Sequence, residues 1–318
     1  MMLTDAEIGV FVAKVLKLPP GKRKEYLRQV DYLIERLEKK ISEDSSFAVR
    51  KFTKTGSLQK GTVLRPRDGV GVDADIAVDL DVSEASKDDL ELLHGIIREL
   101  LIAVYPQKDP DDFKIQPRTL GIHFHDSGLD VDLVPIVPIP NEPGYGWQPS
   151  SQGGSPVKTS VTGQLAFIKT RSDADPRYRT LVRLLKRWRN HQELDALRSF
   201  GIELLLAYLQ DRDGPAPSLE DGLARFFLFV GQSELREPVS FPENGRIRRY
   251  PSAPVVILDP VNADNNVAAR ITEAERREIV AKATAAWEAI SAATWNPYKG
   301  ETIELWRDVF GRSFVIEE

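Results

Sequence analysis

The stretch Thr55-Gly56-Ser57, followed by Asp73-Ala74-Asp75, decides the fold of this chain. Gly56 permits backbone conformations that other residues avoid, so the main chain can approach a ligand closely at this turn. Ser57 adds a hydroxyl and amides that bind phosphate oxygens. Residues two apart in a strand point the same way, so Asp73 and Asp75 present both carboxylates on one face. A phosphate-binding turn followed by paired carboxylates is the combination that phosphoryl or nucleotidyl transfer requires.

A third carboxylate is expected from a neighbouring strand. The run Leu129-Asp130-Val131-Asp132-Leu133-Val134 offers two candidates, Asp130 and Asp132. We prefer Asp132, because the apolar residues on both sides would hold it rigidly. Asp130 stays open as the alternative.

Two further aspartates compete with the first pair. Asp79 and Asp81 share the face of Asp73 and Asp75 by parity. Asp79 lies about 13 Å beyond Asp75 along an extended strand, so the two pairs cannot share ions. The first pair is preferred because it opens the strand, beside the loop where a triphosphate would lie.

Hydrophobic periodicity predicts the remaining elements. Thr4 and Glu7 have the spacing of a capping box, which predicts a short N-terminal helix. Alternating apolar residues predict a strand over 73–82, and Asp126-Ser127-Gly128 predicts a hairpin within 119–138. Apolar residues at helical spacing predict helices at about 22–41, 90–105, 178–191, 200–210, 219–230 and 272–293. Residues 141–160 are rich in Pro, Gly and Ser and predict a loop or lid, with a lobe boundary near residue 160.

Composition narrows the class of protein. The net charge of −5 over 318 residues argues against sequence-independent adhesion to duplex nucleic acid. Cysteine is absent, which excludes disulfides and thiolate zinc sites. The N-terminal residues lack the pattern of a signal peptide, and no run is long and apolar enough to span a bilayer. The expectation is a soluble, cytoplasmic protein with no membrane partner.

A basic helix and the helix after it supply further candidates. Lys186 lies in the run 181–189, opposite an apolar face, and can meet a phosphate as a point charge if its side faces the cleft; otherwise the basic face is solvated. Ser199 is predicted as the N-cap of the next helix. Phe200 is a candidate for stacking on a base and equally a candidate core residue.

Together these motifs resemble the CD-NTase family, which contains cyclic GMP-AMP synthase, oligoadenylate synthase and the bacterial cyclic-oligonucleotide synthases of CBASS anti-phage systems. The matching segments are Gly56-Ser57, Asp73-x-Asp75, Val131-Asp132, the run at 181–188, the segment at 199–205 and the segment at 257–266. The resemblance implies an α+β fold with the active site in a cleft between two parts. These are a polymerase-β-like nucleotidyltransferase core with a spine helix (1–160) and a C-terminal helical lobe (161–318).

The resemblance also implies an activity and roles for residues. The activity is synthesis of a cyclic di- or trinucleotide second messenger from ATP, alone or with another NTP, in bacterial anti-phage defence. Two Mg²⁺ ions, or Mn²⁺, would be held by Asp73, Asp75 and Asp132. The donor nucleotide would be held by Gly56, Ser57, Lys186, Ser199 and Phe200, the last by stacking on the base.

Partners and alternatives complete the expectation. Without cysteine no zinc module of the cyclic GMP-AMP synthase type can form, so activation by duplex DNA is not expected. Analogy with the family suggests a regulatory partner of HORMA type. The main alternative is a linear adenylyl- or nucleotidyltransferase that modifies a drug, a protein or an RNA end. A catalytically dead nucleotide sensor is a third class, which the complete set of carboxylates disfavours.

Overall fold

The computed structural model describes residues 2–43, 49–66, 71–80, 89–149, 155–247 and 249–317. Asp81, one of the competing aspartates, lies outside the described residues. The chain divides into two compact units. We call Leu18–Leu165 the sheet unit, and Met1–Lys17 together with Ala166–Glu318 the helical unit. The domain bounds predicted from the sequence, 1–160 and 161–318, stay a prediction.

Helices and strands follow one another in a mixed order, which agrees with the predicted α+β class. The α-helices are α1 (Asp5–Phe11), α2 (Lys22–Glu43), α3 (Gly56–Lys60), α4 (Asp89–Val104), α5 (Val161–Ala174), α6 (Tyr178–His191), α7 (Ser199–Asp213), α8 (Leu219–Ser233), α9 (Glu273–Trp295) and α10 (Lys299–Phe310). The strands are β1 (Val49–Thr55), β2 (Val72–Leu80), β3 (Phe113–Ile115), β4 (Leu120–Phe124), β5 (Leu129–Pro138), β6 (Gly146–Gln148), β7 (Val157–Thr159), β8 (Leu258–Asp259) and β9 (Asn262–Asn266).

The sheet unit is built on a mixed sheet in the order β1-β2-β5-β4-β3. Strands β2 and β5 are parallel, whereas β1 with β2 and β4 with β5 are antiparallel. The predicted hairpin is confirmed as β4 and β5. The loop predicted over 141–160 is wrong in part, because β6 and β7 pair there at the end of β5. Both are three-residue strands, too short to show the alternation by which a strand is recognised.

One face of this sheet is apolar, and it packs in a core with α2 and α4. Alternate residues of β2 and β5 supply the face, among them Ile76 and Leu133, which are at most 1% exposed. Helix α2 contributes Leu33 and Leu37, which are equally buried. Burying each side chain of this size is worth roughly 1.5–3 kcal/mol. The register of the strands is therefore fixed by their apolar face, and the polar residues are left on the opposite face.

The N-terminal residues belong to the helical unit through polar contacts. The predicted capping box is confirmed: the Thr4 hydroxyl accepts from the Glu7 amide, and the Glu7 side chain accepts from the Thr4 amide. Asp5 accepts from Arg177 Nε at 2.6 Å and from the Leu219 amide at 2.7 Å. These bonds tie α1 to the first turns of α6 and α8. No helix in the described part of the chain has both the length and the apolar character needed to cross a membrane.

Candidate active site

The predicted carboxylates lie on one face of the sheet, in two facing pairs. Parallel pairing of β2 with β5 sets Asp73 opposite Asp130 and Asp75 opposite Asp132. Neighbouring strands are about 4.8 Å apart, and paired residues of a parallel ladder point to the same side. Four carboxylates therefore crowd the polar face at this end of the two strands. Asp73 is exposed and the other three are half-buried.

The predicted turn lies directly against this group. Gly56 has a φ of +69°, in the left-handed region, and it directly follows the last residue of β1, Thr55, which pairs with Asp75. A Cβ atom at Gly56 would lie 1.7 Å from Asp75 Oδ2, which no side chain can occupy. Ser57 follows as the second residue of α3 and is half-buried. Glycine is thus required here both by the backbone conformation and by the close approach to Asp75.

Asp132 is held in an environment that resists ionisation. Gln116 Nε2 donates to Asp132 Oδ1 over 3.3 Å, and Gly121 faces Asp132 across the β4–β5 pair. Burial, followed by the charges of Asp75, Asp73 and Asp130, raises the pKa of Asp132 from 3.8 to about 6. Burial and the neighbouring negative charges thus disfavour the ionised form of Asp132, and a nearby cation would favour it.

Asp130, the alternative third ligand, already has a partner. His123 Nδ1 lies 2.6 Å from Asp130 Oδ1. A Cβ atom at Gly71 would lie 2.4 Å from Asp130 Oδ2, so this second carboxylate oxygen of Asp130 lies close to the backbone of Gly71. Asp132 faces Asp75 instead. This arrangement favours Asp132 over Asp130, although the role of each stays a prediction.

Sequence reasoning missed three residues that shape this group: Gln116, Gly121 and His123. Gly121 and His123 alternate along β4 and face Asp132 and Asp130 across the hairpin. The hairpin prediction contained the signal, since the strand antiparallel to the carboxylate strand must supply the residues that face it.

Asp79, the competing aspartate, is separated from this group. It pairs with Lys51 on β1 and with Ile136 on β5, so no carboxylate stands opposite it. Within the described stretches, no three His, Cys, Asp or Glu side chains already converge as a metal-binding group. The metal assignment therefore depends on the register and charge of the two facing pairs.

The remaining predicted residues belong to the helical unit. Lys186 is only 6% exposed, as is its neighbour Arg187 at 4%, so the two do not form a solvated basic face. Trp188 is buried on the predicted apolar side of α6, and its ring centroid lies 4.9 Å from that of Phe227. A lysine this deeply buried needs anionic or hydrogen-bonding surroundings.

The start of α7 differs from the prediction. Ser199 is the first helical residue and Arg198 is the N-cap, so the prediction that Ser199 is the cap is wrong. The Ser199 hydroxyl instead accepts from Arg189 Nη1 at 3.1 Å, a bond from the end of α6. Phe200 is half-buried, so its ring is neither a full core residue nor fully exposed.

The raised pKa of Asp132 predicts that this carboxylate destabilises the metal-free protein. Its folded pKa exceeds the ordinary value, so stability falls as pH rises from about 4 to above 6. Asp132→Asn is expected to increase the free energy of unfolding at pH 7.5, without divalent cations, by about 1–2 kcal/mol, and to have no effect near pH 4. Urea denaturation at both pH values measures this. Equal or lower stability of the variant at pH 7.5 would contradict the crowding of the carboxylates.

Comparisons with known proteins identify relatives of this chain. No family model matches the chain. A CBASS oligonucleotide cyclase CdnC from Escherichia coli (strain KTE188) is 40% identical over 318 residues, covering 100% of this chain and 99% of the relative. A cyclic AMP-AMP-AMP synthase from E. coli (strain MS 115-1) is 34% identical, covering 96% of each chain.

Solved structures give the same result. The structure of E. coli MS115-1 CdnC with ATP matches with a TM-score of 0.86 at 34% identity, over 98% of this chain and 99% of that one. The structure of the same protein in complex with HORMA-deltaN matches with a TM-score of 0.84 at 33% identity, over 98% of each. The likeness extends over both units. The chain is a nucleotidyltransferase and belongs to the CBASS oligonucleotide cyclases of the CD-NTase family.

Proposed function

We propose that this protein joins nucleoside triphosphates into a cyclic di- or trinucleotide second messenger for anti-phage defence. The observation that carries the proposal is the facing of Asp75 and Asp132 across β2 and β5, beside a glycine turn, in a chain 40% identical to an oligonucleotide cyclase. ATP is the proposed substrate, because one relative is named for a product made only of AMP units and another was solved with ATP. The proposed site of action is the cytoplasm, where these substrates are made.

The carboxylates fit a pair of divalent cations by their chemistry. They offer only oxygen ligands, which Mg²⁺ and Mn²⁺ prefer, and burial together with their crowding raises the pKa of Asp132. Asp73, Asp75 and Asp132 are the proposed ligands. When bound, two such ions would lower the pKa of an attacking ribose hydroxyl and neutralise the pyrophosphate that leaves.

The chain's own residues bind and orient the donor. Gly56 has no side chain, so the backbone of the turn can approach phosphate oxygens, and the Ser57 hydroxyl donates to them. Lys186 supplies a positive charge for the triphosphate, and Ser199 a hydroxyl. Phe200, which is half-buried, is the proposed stacking partner of the donor base.

A regulator is proposed from the comparisons alone. The relative from E. coli MS115-1 was solved in complex with HORMA-deltaN. We propose that a HORMA-type protein also binds this chain.

The first prediction from the proposed function concerns the carboxylates of β2. Asp73→Asn with Asp75→Asn is expected to reduce pyrophosphate release from NTPs to background, because both charges at the proposed metal site are lost. Asp31→Asn is the control, since it makes the same type of substitution at an exposed position on α2. Pyrophosphate release near the wild-type rate in the double variant would contradict the assignment.

The second prediction separates the glycine's contact from its backbone strain. Gly56 and Gly61 have φ of +69° and +70°, but only a Cβ at Gly56 would meet Asp75; at Gly61 nothing lies within 4 Å. The left-handed backbone conformation by itself costs alanine roughly 1–2 kcal/mol of stability at either position. The contact with Asp75 adds to this cost at Gly56 alone. Gly56→Ala is expected to abolish pyrophosphate release as well, whereas Gly61→Ala retains it. Equal activity of the two variants would show that the contact with Asp75 is unimportant.

The third prediction concerns the product. Incubation with the four NTPs and Mg²⁺ or Mn²⁺ is expected to give a cyclic oligonucleotide of AMP units, identified by mass spectrometry. The product should resist phosphatase, since a closed ring has no terminal phosphate. A product that phosphatase degrades, or none without an added acceptor, would favour the linear transferase instead.

A further inference from the structure

A cavity lies on the polar face of the sheet, beyond the carboxylates. It has a volume of about 310 Å³ and lies entirely within the sheet unit. Its polar wall contains Arg50, Lys51, Thr53, Asp79, Tyr145 and Thr162. None of these residues belongs to the proposed metal site or the donor site. We call this cavity the Asp79 cleft.

A β-bulge brings both cations to the cleft. Val49 pairs with Leu80, and Lys51 pairs with Asp79, so Arg50 is an extra residue in β1. Without the bulge, neighbouring residues of the strand would point to opposite faces. Bulges re-aim side chains in this way, and they are common beside functional sites. Here Arg50 and Lys51 both line the cleft, and both are exposed at its mouth.

The interior of the cleft offers complementary hydrogen-bonding groups. Burial raises the pKa of the Asp79 carboxyl, and the charges of Lys51 and Arg50 lower it, so the three groups interact. Thr53 Oγ1 is buried and has no hydrogen-bond partner among the described residues. Thr159 and Thr162 also line the cleft. A buried hydroxyl without a partner is costly unless a ligand or water satisfies it.

Size and chemistry select the ligand class. About 310 Å³ is at the lower end of cavities that hold small molecules, so the cleft suits one nucleotide unit. The guanidinium and ammonium groups suit a phosphate, and the aspartate suits a ribose hydroxyl or an exocyclic amine. Tyr145 supplies aromatic surface.

The distance between the cleft and the carboxylates relates the cleft to the reaction. Asp79 lies four residues beyond Asp75 on the same face of β2, or about 13 Å. A short oligonucleotide is long enough to reach from the carboxylates into the cleft.

We propose that the Asp79 cleft is a binding site for a nucleoside phosphate. Two sources supply this chemistry: the 5′ part of the linear intermediate, retained until the ring closes, and a free nucleotide. The geometry points to the intermediate. This choice of source rests on the proposed function, whereas the nucleoside phosphate site itself does not. Retention there would hold the 5′ end of the growing chain while its other end accepts the next nucleotide at the carboxylates. For ring closure the 5′ triphosphate would then leave the cleft for the carboxylates, where the terminal hydroxyl of the chain attacks its α-phosphate and pyrophosphate departs.

Binding of AMP tests the site without turnover. Isothermal titration of the full-length protein with AMP in EDTA is expected to show affinity reduced at least about tenfold in R50A/K51A, since two charged partners of the phosphate are lost. Lys54→Ala is the matched control, because Lys54 is on the same strand but pairs with Asp31 on α2. Adenosine is expected to bind equally weakly to both proteins. Equal AMP affinity of R50A/K51A and wild type would overturn the proposal.

Thr53→Val is a second variant that tests the cleft even if R50A/K51A misfolds. The Thr53 hydroxyl has no hydrogen-bond partner in the described part of the chain, so its removal is expected to leave the melting temperature unchanged or raised while weakening AMP binding. Unchanged AMP affinity in a well-folded Thr53→Val protein would contradict the cleft as the AMP site.

Product analysis distinguishes the two sources. If the intermediate occupies the cleft, R50A/K51A releases a larger share of linear product than wild type, by mass spectrometry. If a free nucleotide occupies it, the ratio of linear to cyclic product is constant and only the rate changes. A wild-type protein that makes no cyclic product would contradict the proposed function, whereas the AMP titration tests the cleft independently of it.

Discussion

The parallel pairing of β2 with β5 is the constraint on which the rest of this molecule depends. It places Asp75 opposite Asp132, and Asp73 opposite Asp130, on one face of the sheet. Such a pair of strands cannot be joined by a tight turn, because a parallel connection needs a crossover. Helix α4 with strands β3 and β4 forms that crossover here. A slip of one residue in the pairing would turn Asp132 into the apolar core.

The register is maintained against electrostatic repulsion by the opposite face of the same strands. Ile76 and Leu133 pack into the core with α2 and α4. The aspartates that alternate with the apolar residues along β2 and β5 must therefore face outward. The cost of this arrangement is visible at Asp132, whose pKa is raised to about 6 by burial and by its acidic neighbours. Gly56 then closes the polar face at Asp75, where no side chain fits. Core packing thus holds together a group of charges that would separate if left alone.

Local patterns in the sequence were enough to predict the strand parity of Asp73 and Asp75, the β4–β5 hairpin and the long helices. Features set by distant contacts were not accessible in this way. The preference for Asp132 over Asp130 was argued from apolar neighbours, whereas the structure adds His123 as the partner of Asp130, a contact across the hairpin. Ser199 was predicted as a cap from its residue type, but its hydroxyl accepts a hydrogen bond from Arg189 of the preceding helix. The bulge at Arg50 likewise depends on the pairing of β1 with β2, which no single strand reveals.

The central claim is that Asp73, Asp75 and Asp132 act as one cation-binding group. Anomalous diffraction from crystals grown with Mn²⁺ and a non-hydrolysable ATP analogue measures this most directly. We expect manganese peaks within bonding distance, about 2.0–2.2 Å, of Asp75 and Asp132 oxygens. Peaks that contact Asp79 or Asp130 but neither of those residues would contradict it.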